Sequence, residues 1–127
     1  MQDSFRAPLH PAVLYGINRT LEAAAHAAIP VIVCGEMAST PAYAVLLIGL
    51  GARDLSMIPA MIPRVRRVLS QIKAGEAREV ALRCLALATA DEVEELVREE
   101  FRSRWPELFP ASALPKPVTP INADSHG

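Results

Sequence analysis

A chain of 127 residues holds one compact domain or a piece of one, which excludes any self-contained architecture that needs roughly 200 residues or more. Apolar residues make up 51% of it and aromatics only 5%, so the expected core is aliphatic. Thirteen Lys and Arg against fourteen Asp and Glu leave a net charge of −1 with no dense basic cluster, which argues against nucleic acid as a partner.

The longest apolar run, around Ala42 to Leu50, is far too short to span a membrane. Met1 to Pro8 has neither the basic start nor the apolar centre of a signal peptide, so a cytoplasmic location and no membrane contact are expected. Cys34 and Cys84 are too few and too far apart to read as a disulfide framework or a zinc site.

From Pro11 to Ala28 the apolar residues recur at three- and four-residue steps through Val13, Leu14, Ile17, Leu21, Ala24 and Ala25, with Pro11 suited to the first turn. That pattern predicts a helix, which Ile29-Pro30 ends. Val31-Ile32-Val33-Cys34 is a β-branched run without alternation, the pattern of a parallel strand covered on both faces, and Gly35 ends it. Thr40 before Pro41 reads as a capped helix start, with an apolar helix from Tyr43 to Leu50 stopped by Gly49 and Gly51.

Asp54 to Met57 reads as a second strand. Pro59 and Pro63 introduce a helix whose apolar stripe is Val65, Val68, Leu69 and Ile72, with Arg64, Arg66 and Arg67 on the wet side. After Gly75 a helix is expected over Glu76 to Ala88, with Val80, Ala81, Cys84 and Leu85 inward. Thr89 and Glu92 then form a capping box for a last helix from Ala90 to Arg104, whose buried face is Val93, Leu96, Val97 and Phe101. Residues 105–127 are Pro-rich, without either period, and are expected to be a disordered tail behind a packed unit of residues 1–104.

The alternation of helix and strand predicts an α/β fold with a parallel sheet or barrel, although two strands cannot close one. Unfilled strand edges and one-sided apolar helices should leave such a chain dependent on company.

Val31-Ile-Val-Cys-Gly-Glu-Met-Ala38, Leu46-Leu-Ile-Gly-Leu-Gly-Ala-Arg-Asp-Leu-Ser-Met57 and Ile62-Pro-Arg-Val-Arg-Arg-Val-Leu69 resemble the end of the phosphoenolpyruvate-binding barrel of the PEP-utilising enzymes. Within that family the Leu-Ser-Met and Ile-Pro-Arg pattern is most similar to enzyme I of the phosphotransferase system, and Pro8 to Leu14 also fits it. The likeness covers roughly Phe5 to Phe101. It implies the C-terminal portion of a (β/α)8 TIM barrel, with the two strands as its seventh and eighth and catalytic groups at their C-terminal ends.

By that resemblance the parent enzyme transfers phosphoryl from phosphoenolpyruvate to a protein histidine, and Cys34 is the acid that protonates the resulting enolate. A thiol with a reference pKa of about 8.5 is mostly protonated at neutral pH, yet acidic enough to serve a strongly basic carbon. Apart from the family, a lone Cys ending an apolar strand is ordinarily a packing residue. Gly35 and Glu36 are the implied substrate-binding neighbours; for Glu36, substrate contact and bracing of the loop both stay open.

Ser39-Thr40 stands where the family usually has Gly-Asp, so any role of that acid is lost. Cys84 reads as core, and His10, His26 and His126 as bystanders that do not match the phosphorylated histidine of the family. A Cys hydrolase would need a base near Cys34; His26 is a candidate without a supporting spacing.

The resemblance brings with it Mg2+, the substrate phosphoenolpyruvate and the phosphocarrier protein as partners of the full-length family. The segments that carry its substrate arginines, magnesium-binding acids and phosphohistidine domain find no counterpart in this sequence. The chain alone is therefore expected to bind no metal and to be inactive. Two readings follow: a working C-terminal fragment of a phosphotransferase, joined by a complementary barrel fragment or by self-association, or a non-catalytic partner-binding protein derived from the family.

Overall fold

The computed structural model describes residues 9–110. In order they form α1 (Pro11–Ala27), β1 (Ile32–Cys34), α2 (Glu36–Ser39), α3 (Pro41–Gly49), β2 (Asp54–Ser56), a 3-10 turn (Pro59–Met61), α4 (Ile62–Ser70), α5 (Ala74–Leu85) and α6 (Ala90–Arg104). The strands pair in parallel, with Ile32 opposite Asp54, Val33 opposite Leu55 and Cys34 opposite Ser56. The architecture is a helix-rich α/β unit around a two-stranded parallel sheet.

Local chemistry explains the element ends. His10 precedes α1 and its Nδ1 accepts a hydrogen bond from the Ala12 amide at 3.0 Å, so this histidine is a helix cap. Ala28 closes α1 in the left-handed region at φ 57°, and the Ile29 amide donates to the Ala24 carbonyl at 2.8 Å, which turns the chain toward β1. The capping box of α6 is present: Thr89 Oγ1 accepts from the Glu92 amide and Glu92 Oε1 accepts from the Thr89 amide. The amides of Ala88 and Thr89, with the Thr89 hydroxyl, donate to that carboxylate and hold it below the usual carboxylate range.

Helix α3 is the centre of the core. Ala42, Ala44, Val45, Leu46, Leu47 and Gly49 are buried along it, and its neighbours include α5, through Ala77, Val80, Ala81 and Cys84. Gly49 makes that contact close: a Cβ there would stand 2.3 Å from the Ala77 carbonyl oxygen. Helix α6 then packs Val93, Val97 and Phe101 inward. Arg104 joins α6 to α5 through Glu79 and Glu76, and bonds Glu100 at 2.8 Å on its own helix. At the surface such a network orients the helices more than it stabilises them.

Four expectations need correction. The strands are not covered on both faces: Ile32 and Cys34 of β1 and Asp54 and Ser56 of β2 are exposed, while Val33 and Leu55 are half-buried. Thr40 occupies the position before α3 without capping it, because its hydroxyl donates to the Glu36 carbonyl at 2.9 Å instead. Gly75 lies inside the first turn of α5. The packed unit also extends beyond residue 104: Trp105 and Phe109 are buried, with their rings 5.0 and 4.9 Å from that of Phe101. An aromatic cluster thus completes the otherwise aliphatic core, and the Pro-rich stretch from residue 111 onward lies outside the described residues.

Among the described residues no helix is long and apolar enough to cross a membrane.

Candidate functional site

Parallel pairing brings the C-terminal ends of both strands to one side of the molecule. Cys34 ends β1, Ser56 ends β2, and the two are register partners. Partners on adjacent parallel strands point to the same face about 4.8 Å apart. That face is the uncovered one, so the Cys34 thiol is exposed. Cys34 is therefore not part of the core formed by the described residues.

Gly35 follows with φ 97° and ψ −165°, a conformation that L side chains rarely adopt, and nothing lies within 4 Å of where its Cβ would be. The requirement for glycine is therefore conformational. It reverses the chain out of β1 directly into α2, a single turn that the sequence pattern did not reveal. Glu36 is the first residue of α2 and is exposed. Ser39 Oγ donates back to the Gly35 carbonyl at 3.2 Å, and Thr40 Oγ1 to that of Glu36. These two hydroxyls thus tie down the turn carrying Gly35 and Glu36.

Beyond β2, Met57, Ile58, Pro59 and Met61 form the opposite wall of an open cleft of about 810 Å³, which Cys34, Gly35, Glu36, Thr40 and Ser56 also line. One carboxylate and one thiol line it, with the three hydroxyl residues Ser39, Thr40 and Ser56 and an apolar wall. Tyr43 lies close behind: burial, and then the charges of Glu94 and Glu36, push its phenol above the usual value and keep it protonated. Ser39, Thr40 and Ser56 line the cleft although the sequence reading did not place them among the site candidates. The register of two short strands would have been needed to find Ser56.

The other sequence candidates fall away from this site. Cys84 is buried in α5, and burial pushes its thiol up to about 12. His26 lies in the last turn of α1, outside the residues lining the cleft. Among the described residues no three His, Cys, Asp or Glu side chains converge to hold a metal ion. With Glu36 as its single carboxylate, the cleft does not by itself fit magnesium.

The sequence model of the PEP-utilising enzyme PEP-binding domain matches residues 3–74, more than half of the chain. The chain belongs to the PEP-utilising enzyme family. A phosphoenolpyruvate-protein phosphotransferase from Cupriavidus necator is 52% identical over 60 residues, which are 47% of this chain and 10% of that protein. The protein of that name from Mycoplasma pneumoniae is 36% identical over 97 residues, 76% of this chain and 17% of its own length. The one from Haloferax volcanii is 39% identical over 87 residues, 68% and 15%. This member of the family therefore spans only 10 to 17% of the length of these relatives.

Proposed function

We propose that this chain supplies the carbon-protonating end of a phosphoenolpyruvate-protein phosphotransferase site, with Cys34 as the acid. The observation that carries the reading is the exposed thiol at the C-terminal end of β1, beside Ser56 and over an open cleft. The uncovered sheet face formed by Ile32, Cys34, Asp54 and Ser56 would look into a (β/α)8 barrel, and Val33 and Leu55 toward its outer helices.

In this reading the phosphorus–oxygen bond of phosphoenolpyruvate breaks as a phosphorus–nitrogen bond forms to a histidine on a separate phosphohistidine domain of the complete enzyme. The electron pair left on the enolate is taken up at carbon 3, which accepts the proton of the Cys34 thiol. Pyruvate leaves, and the thiolate regains its proton from solvent, to which the cleft is open. Gly35 sets the direction of the strand end, and Glu36 borders the substrate. The described residues offer no ligand set for magnesium.

The arginines and acids of a complete site must come from further polypeptide, so the 127-residue chain alone should release no pyruvate from phosphoenolpyruvate. The phosphocarrier protein would then take the phosphoryl group from that domain of the assembled enzyme, located in the cytoplasm. A second reading, partner binding without catalysis, draws support from the apolar side chain of Ile32 on the uncovered sheet, 66% exposed.

The test is a covalent chimera in which this chain replaces the matching segment of the Cupriavidus necator relative. Pyruvate release should be measurable, and Cys34→Ala should slow it by about a hundredfold or more, the scale of general-acid catalysis. An unchanged rate in Cys34→Ala would remove the acid role and favour the second reading.

A further inference from the structure

When the Cys34 thiol gives up its proton, a negative charge is left on sulfur, and the cleft decides what that charge meets. No Lys, Arg or His lines the cleft, and Glu36, its one carboxylate, can only oppose a second anion. The side chains able to donate a hydrogen bond there are the hydroxyls of Ser39, Thr40 and Ser56. Two of them are engaged: Ser39 donates to the Gly35 carbonyl at 3.2 Å and Thr40 to the Glu36 carbonyl at 2.9 Å. The Ser56 hydroxyl has no hydrogen-bond partner among the described residues.

Register supplies the proximity. Ser56 is the partner of Cys34 across the parallel pair, and such partners stand side by side on one face about 4.8 Å apart. Both side chains carry a single heavy atom beyond Cβ and both are exposed, so rotation about χ1 brings oxygen toward sulfur without moving the backbone. A neutral thiol is a weak acceptor, whereas an ionised one accepts strongly, so the bond tightens as the charge develops. An interaction that strengthens in that direction lowers the barrier to proton release without tightening substrate binding.

We propose that Ser56 is a positioning residue for the acid step: its hydroxyl turns to Cys34 and donates a hydrogen bond to the sulfur as the thiol proton moves to carbon. The serine keeps its own proton throughout, and the thiol proton is the one transferred. This rests on the reading of Cys34 as the acid and adds the group that steadies the charge the acid leaves behind.

Two measurements test it, the first without substrate. In the full chain at neutral pH, iodoacetamide should label Cys34 more slowly in Ser56→Ala than in the parent, because fewer sulfurs are ionised. A loss of thiolate of about tenfold, partly offset by the greater nucleophilicity of a more basic sulfur, leaves a rate lower by about threefold. In the covalent chimera, Ser56→Ala should lower kcat for pyruvate release about tenfold and leave KM for phosphoenolpyruvate within about twofold of the parent value. Ser56→Thr restores the hydroxyl on a β-branched side chain that a strand accepts, and should recover most of both rates. Removing an exposed hydroxyl empties no packed space, so Ser56→Ala should melt with the parent.

Labelling of Cys34 at the parent rate in Ser56→Ala, a kcat indifferent to that substitution, or a Ser56→Thr chain no faster than Ser56→Ala would each overturn the proposal. A slowed Cys34→Ala chimera beside an unimpaired Ser56→Ala chimera removes Ser56 and leaves Cys34 as the acid. Slower labelling in Ser56→Ala beside an unimpaired Cys34→Ala chimera removes the acid role, and the positioning role with it, while the bond between hydroxyl and thiolate stands.

Discussion

Cys34 and Ser56 stand opposite each other in register, each the last residue of its strand, on the face of the sheet that is left exposed among the described residues. Parallel pairing makes this the end at which both strands deliver side chains to one cleft, and the left-handed Gly35 keeps the chain from running on past it. An open thiol at such an end should be chemically distinct from the second cysteine.

Alkylation checks this. Iodoacetamide at neutral pH should modify Cys34 in the folded chain, while Cys84, fully buried, should react only as the chain opens. Peptide mass spectrometry over time separates the two. Equal rates, or faster labelling of Cys84, would contradict the placement of β1.

The buried thiol has a second consequence. Burial raises the Cys84 thiol from 9.0 to about 12, with Arg83 opposing more weakly. Between these values the unfolded chain has released the proton that the folded chain retains, so the unfolded state binds fewer protons and stability falls as pH rises. Below about 9 the group contributes no pH dependence. Urea unfolding from pH 8 to pH 11 should show this loss, and Cys84→Ala should have a flatter profile.

Gly49→Ala should be strongly destabilising. The added methyl would meet the Ala77 backbone at 2.3 and 2.7 Å and the Ala81 side chain at 2.8 Å, so α3 and α5 must separate at the centre of the core. Overpacking of this kind costs about 1–3 kcal/mol or more. Thermal denaturation measures it, and a variant as stable as the parent would refute the close approach of the two helices.

Ala28→Gly should act in the opposite direction. Ala28 holds φ 57° at the end of α1 and is exposed, so glycine removes the left-handed penalty without emptying any packed space. A gain of about 1 kcal/mol is expected, read as a raised urea midpoint. A loss of stability would mean that the α1 terminus does not have this conformation.

Much of the helical framework was legible because period and caps agree: the α6 capping box, the α1 stripe and the inward set of α5 follow from residue spacing alone. Cys34 at a strand end was legible for the same reason. The uncovered face was not, since Val31-Ile-Val-Cys reads as buried on both sides whereas Ile32 and Cys34 are exposed. Turn α2 escaped because it is one turn long and is held by Ser39 and Thr40 hydroxyls bonding backward, a choice those side chains make as readily as capping forward. Trp105 and Phe109 were obscured by the prolines between and after them. Ser56 needed the strand register, which three-residue strands do not encode locally.

The central claim, proton delivery to carbon by the Cys34 thiol, is tested most directly by solvent exchange at the methyl group of pyruvate. The covalent chimera, incubated with pyruvate and the phosphorylated acceptor protein in deuterium oxide, should exchange methyl protons for deuterons. Cys34→Ala should lose that exchange by about a hundredfold or more. Exchange at the parent rate in Cys34→Ala would show that another group carries the proton.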